Sequence, residues 1–167
     1  MTKQSSSARA DARGLRVILL RSRFNEVVVD GLVAGAQDAL RAMGARAADV
    51  TTVDVPGAFE LPVAAAVAAR SGRWDAVVAL GAVIRGETDH YEHIAREASA
   101  GLAAVARETG IAVGFGVLTV SEEEQAHARA APGPQNKGGE AARAAVATAR
   151  LLQSLRARPA RRGRKIV

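Results

Sequence analysis

Four short apolar runs alternate with longer amphipathic ones along this chain. Leu15 to Leu20 (LRVILL) reads as a strand, followed by a helical pattern from Glu26 to Met43 that Gly44 stops. Ala48 to Val55 (ADVTTVDV) is a weaker strand. After Pro56-Gly57 a helix runs from Ala58 to Arg70 and ends at Ser71-Gly72. Asp75 to Leu80 (DAVVAL) reads as a buried-type strand, and from Ala76 the apolar stretch runs to Ile84, broken only by Gly81. The next helix extends from about Asp89 to Thr109 and closes at Gly110. Ala112 to Val120 (AVGFGVLTV) is the fourth strand. Glu122 to Ala130 forms a short helix, APGPQ a break, and Gly138 to about Arg156 a final helix.

Near-continuous apolar strands separated by helices imply a parallel sheet covered on both faces. The expected fold is a single α/β domain over residues 15–156, a three-layer α/β/α sandwich with a four-stranded parallel sheet, flavodoxin-like. In such sheets ligands bind beyond the carboxyl ends of the strands. That singles out Arg21 to Asn25, Val55 to Glu60, Gly81 to His90, and Thr119 to Ser121.

Composition narrows the class. With 167 residues, 49% of them hydrophobic, the chain can bury a real core, although aromatics are only 3%. It contains no cysteine, so disulfides and thiolate metal sites are excluded. No window approaches the roughly 18 uninterrupted apolar residues of a spanning helix. Residues 1–14 (MTKQSSSARADARG) lack the apolar stretch of a signal peptide and read as a disordered lead-in, which makes a cytoplasmic protein the expectation.

The net charge of +6 suggests a polyanion partner until its location is noted. Arg156, Arg158, Arg161, Arg162, Arg164 and Lys165 stand in the last dozen positions; removing those six from the 23 basic residues leaves 17 against 17 acidic ones. The basicity thus belongs to a tail over 157–167, either a solvated segment or one that touches RNA or another polyanion. The body has no basic stripe with interleaved aromatics, which argues against a nucleic-acid function for the domain.

The strand-end segments carry the candidate chemistry. Arg85-Gly86-Glu87-Thr88-Asp89 lies between strand and helix, where first-turn amides and the dipole suit a phosphate. The alternative is an ordinary helix start capped by Thr88 or Asp89. His90 falls in the first turn and could shuttle protons near neutral pH. His93 follows three residues later, but a metal site would need a third ligand that the spacing does not offer. Phe24 follows the first strand among polar neighbours, where an aromatic can form a platform for a planar ring. Glu60 could accept hydrogen bonds from hydroxyls or ring N–H groups, or simply favour the helix dipole. Arg129 and Lys137 flank a proline-containing loop, either as solvated charges or as a clamp for an anion.

Together, RFN (23–25), VPGAFELP (55–62), ALGAVIRGETDHYEHI (79–94), GFGVLT (114–119), EQA with Arg129, and NKGGEAA (136–142) closely resemble lumazine synthases. The resemblance spans residues 15–155 and implies the fold of that family. It also implies a transferase reaction, the penultimate step of riboflavin biosynthesis, with no metal or organic cofactor. Phe24, Ala58, Phe59 and Glu60 would hold an aminouracil together with Ala82, Val83 and Ile84. Glu87, Thr88 and Arg129 would hold a phosphate, assisted by Lys137, and His90 would be the general acid/base. The family forms homopentamers with sites between subunits, so Phe115 and Arg129 would reach into a neighbour's site. Some members close into a 60-subunit shell. The loop Ala130 to Gln135 and the arginine-rich tail depart from the family pattern. A receiver-type module is disfavoured because Arg21-Ser22-Arg23 and Gly81-Ala82 stand where its aspartates would be. A lumazine- or flavin-binding scaffold without catalysis is the remaining alternative.

Overall fold

The computed structural model describes residues 10–157. Strands β1 (Val17–Ser22), β2 (Val50–Val55), β3 (Ala76–Ile84) and β4 (Ala112–Val120) form one parallel sheet in the order β2-β1-β3-β4. Helices α1 (Glu26–Ala42), α2 (Leu61–Arg70), α3 (His90–Thr109), α4 (Glu123–Ala130) and α5 (Lys137–Arg156) cover it. α1, α4 and α5 pack on one face, α2 and α3 on the other, giving the expected three-layer α/β/α architecture.

The two-sided cover explains the strand sequences. Along β3, Ala76, Val78, Leu80 and Ala82 enter the core beneath α1 and α5, while Val77, Ala79 and Val83 enter the core beneath α2 and α3. Neighbouring residues point to opposite faces, so a strand buried on both must be apolar throughout. Burying each large aliphatic side chain, such as Leu19 on one face and Leu20 on the other, stabilises the fold by about 1.5–3 kcal/mol. β2 is an edge strand, and its Thr51, Thr52 and Asp54 are exposed. Gly110 closes α3 in a left-handed conformation (φ 68°), its N–H donating to Ala106 O at 3.0 Å.

Several boundaries differ from the sequence expectation. β1 runs two residues later than LRVILL, since Leu15 is buried in the turn preceding it. β2 begins at Val50 after a 3-10 turn at Ala47–Asp49, and the segment Ala58–Glu60 is itself a 3-10 turn, so α2 starts at Leu61 with Pro62 in its first turn. β3 continues to Ile84 rather than stopping at Leu80, because β4 pairs with it as far as Ile84↔Val120. Its pairing with β1 ends at Arg21↔Leu80, so the last four residues of β3 have a strand neighbour on one side only.

Residues 10–14, expected to belong to the disordered lead-in, are packed on the body. Ala12 is buried and its N–H donates to Met43 O at 2.9 Å; the Arg150 guanidinium donates to Asp11 O and Arg13 O at 2.7 and 2.6 Å. The rest of that lead-in, and the basic tail from residue 158 on, lie outside the described residues. Among the described residues no helix is long and apolar enough to cross a membrane.

Candidate active site

An open cavity of about 450 Å³ lies beyond the carboxyl ends of β1, β2 and β3. Its size and position are those of a small-molecule site in an open α/β sheet. One wall is the end of β3, where Ala82 and Val83 are buried and Ile84 is half-buried. Phe24, between β1 and α1, forms the rim and is 71% exposed. The turn after β2 adds Gly57, Ala58, Phe59 and Glu60. A Cβ at Gly57 would come within 3.1 Å of Glu60 Oε2, so the bare backbone there makes room for the carboxylate. The start of α3 closes the far side with Thr88, His90, Tyr91 and Ile94, joined by Gly86.

The α3 N-terminus bears on one open alternative. Asp89 occupies the N-cap position but its carboxylate makes no capping bond, so the first-turn amides are not satisfied by a side chain. Arg85 is anchored by its N–H to Val120 O at 2.9 Å, and its guanidinium stands over the Tyr91 ring, 5.7 Å from the centroid. Glu60 and His90 bring a carboxylate and an imidazole to the cavity; no lysine or arginine lines it.

The structure therefore gathers Phe24, Ala58, Phe59, Glu60, Ala82, Val83, Ile84, Thr88 and His90 in one place. It does not bring Phe115, Arg129 or Lys137 to that cavity in a single chain. Phe115 is on the α3 side of the edge strand β4, 48% exposed. Arg129 donates to Gln125 O within α4 at 3.0 Å, and Lys137 pairs with Glu140 at 2.6 Å at the start of α5. Glu87 is exposed between the lining residues Gly86 and Thr88 without lining the cavity itself. His93 also lies outside it, and among the described residues no group of three His, Asp or Glu gathers as a metal-binding set.

Arg21 turns out to be structural. Its side chain, on the α1 face, meets Asp30 at 2.6 Å, Asp54 at 3.3 Å and Glu26 at 3.5 Å, tying β1 to β2 and α1. The hydrogen bond to Asp30 is the main reason its guanidinium pKa is raised.

A family model described as 6,7-dimethyl-8-ribityllumazine synthase matches residues 14–153. The chain belongs to that family. It is 47% identical over 145 residues to the 6,7-dimethyl-8-ribityllumazine synthase of Nitratidesulfovibrio vulgaris, covering 87% of this chain and 93% of the relative. The enzyme of the same name from Anaeromyxobacter dehalogenans is 48% identical over 149 residues, 89% of this chain and 92% of its own. That of Desulfovibrio desulfuricans is 44% identical over 154 residues, 92% and 99% respectively. The resemblance seen in the motifs is thus a resemblance along nearly the whole folded body.

Three residues that line this cavity were not among the candidates assigned a role from the sequence. Tyr91 and Ile94 line the cavity from α3, and the spacing of His90 and Ile94 by four residues was the available signal, since such pairs share a helix face. Asn25 also lines it, in a conformation that nothing in the sequence announced.

Proposed function

We propose that this chain condenses 5-amino-6-(D-ribitylamino)uracil with 3,4-dihydroxy-2-butanone 4-phosphate. The products are 6,7-dimethyl-8-ribityllumazine, inorganic phosphate and two waters, at the penultimate step of riboflavin biosynthesis. The observation that carries the reading is that an aromatic rim, a carboxylate, a strand edge and an imidazole open into one cavity of a chain belonging to this family.

In this reading the pyrimidine stacks on Phe24, and the backbone of Ala82, Val83 and Ile84 meets its edge. Ala58, Phe59 and Glu60 hold the ring and the ribityl chain, the carboxylate accepting from hydroxyls. The phosphate settles on the uncapped start of α3, on amides around Glu87 and Thr88. The amine attacks the ketone carbonyl, and loss of water leaves an imine. Phosphate then departs and ring closure releases the second water. His90, beside both reactants, moves the protons these steps require, a contribution of about 10²–10⁴-fold. Holding two substrates in register supplies much of the remaining rate.

A dianionic phosphate in a cavity lined by no lysine or arginine lacks a counter-charge. A second copy of the chain supplies it here: Arg129, assisted by Lys137, together with Phe115 as a further ring contact. The proposed assembly is a cytoplasmic homopentamer with its sites between subunits, acting on small molecules.

The direct test mixes both substrates with the protein and follows lumazine absorbance. His90→Ala should lower kcat by about one to two orders of magnitude or more while KM for the uracil changes little, the mark of a lost proton shuttle. A protein that binds lumazine but never forms it would be the non-catalytic scaffold instead.

A further inference from the structure

Phe24 is exposed and surrounded by little that could hold it, so its direction depends on the backbone that carries it. On one side of it, Arg23 N–H donates to Val55 O at 2.9 Å, fixing the end of β1 to β2. On the other side, Asn25 O accepts the N–H groups of Val28 and Val29, both at 3.1 Å, which starts α1. The conformation of Asn25 is unusual. At φ 58° and ψ 49° it is left-handed, and it is the only non-glycine residue with positive φ among the described residues. Asparagine tolerates that region better than most residues, but the geometry needs a compensating contact.

The side chain provides one. Asparagine at an N-cap position ordinarily turns its amide onto its own helix, and here it makes no such bond. Instead Nδ2 donates to Ala82 O at 2.8 Å, across to the end of β3. A carbonyl can only accept, so the amide must present its NH₂ group there. The sheet explains why Ala82 O is available. β3 loses its β1 neighbour after Leu80, and Asn25 takes the place of the missing strand. Left unpaired, that partly buried carbonyl would be costly.

We infer that Asn25 is a positioning residue. By coupling a left-handed backbone to Ala82 it sets the Phe24 ring at a fixed height and tilt over the strand edge that reads the uracil. This rests on the proposed function above. Asn25 itself lines the cavity, so a role through Phe24 is separated from direct contact with substrate by whether its effect depends on the ring.

The test is a double-mutant cycle on the full-length protein with the two substrates. Asn25→Gly keeps the left-handed conformation and removes the tie with the rest of the side chain, so it should fold. It is expected to raise KM for the aminouracil about tenfold, with KM for the ketone phosphate within about twofold. Asn25→Asp, whose carboxylate would face the Ala82 carbonyl, should be worse on the same constant. In a Phe24→Ala background, Asn25→Gly should add almost nothing, because the ring it positions is already gone. Effects that add in full would overturn the inference, as would equal rises in both Michaelis constants. If Phe24→Ala raises KM for the uracil and Asn25→Gly does not, the positioning role fails and the site assignment stands. If Phe24→Ala changes nothing, the site assignment falls and takes this inference with it.

Discussion

Where α1, α4 and α5 meet, helices close tightly around a buried amide; along α2 and the edge strand β2, large apolar side chains stand in solvent around a groove. Asn136 shows the first condition. It is 3% exposed, and its amide donates to Gly31 O, Ala130 O and Ala131 O at 3.0, 2.8 and 3.1 Å, while its Oδ1 accepts from Gly139 N–H at 3.0 Å. The helices approach so closely that a Cβ at Gly35 would overlap the Asn136 amide, and one at Gly138 would overlap the Leu32 carbonyl. The second condition is shown by Val53 on β2 and by Val63 and Val67 on α2, Val67 being 67% exposed, with Phe59 and Phe115 further along. Exposed apolar residues scattered singly mean little, but several around one groove mark a contact surface. Val27 on α1 and Leu151 and Leu155 on α5 are exposed as well, but none of them lines that groove. Glu60 lines both that groove and the cavity, so the contact between copies proposed above would lie beside the proposed site.

Three changes would break or sharpen that contrast. The largest effect is expected from Asn136→Ala. It strands three carbonyls and an amide in a packed interior and should lower unfolding free energy by about 3 kcal/mol or more, read from urea denaturation. A loss under about 1 kcal/mol would mean the junction is less committed than its bonding suggests. Val63→Asp should act oppositely in kind. Helix content and the denaturation of the isolated subunit should hold, while native mass falls towards the single chain and turnover falls with it. An unchanged particle mass with unchanged turnover would show that this face is not where copies meet. The smallest effect concerns the packed segment before β1. Hydrogen bonds from the Arg13 side chain and backbone hold the Asp11 carboxyl down to about 2. Because that value is lowered on folding, the contribution is present above the ordinary carboxylate range and disappears as pH falls through about 2. The melting temperature of Asp11→Asn should sit slightly below that of the parent at pH 6 and meet it near pH 2.

Much of this molecule was legible in its sequence because the signals were local. Apolar runs between glycine stops gave all four strands and the order of the helices. The rule that ligands bind at strand ends then selected three segments that contribute to the cavity, after β1, β2 and β3, while the fourth, Thr119 to Ser121, does not line it. What escaped depends on partners distant in sequence. The extension of β3 to Ile84 needs β4 alongside it, and DAVVAL followed by a glycine looks finished at Leu80. The amide of Asn25 is a cap by every local criterion, and only the early end of the β1 pairing turns it elsewhere. Residues 10–14 look like a polar leader, and only Met43 and Arg150, far along the chain, reveal Ala12 as buried. Phe115 was singled out from the family resemblance, Arg129 and Lys137 already from their place beside the proline-containing loop, and a single chain does not bring any of the three to the cavity.

The overhang of β3 has a consequence for how tightly a guest can be held. Its terminal residues remain bonded to β4 through Ile84↔Val120, and Arg85 N–H adds one more bond to Val120 O. The surface proposed to meet a flat heterocycle is therefore ladder-bonded strand and not a wandering loop. Little chain entropy remains to be lost when the guest arrives, so more of the contact energy appears as affinity.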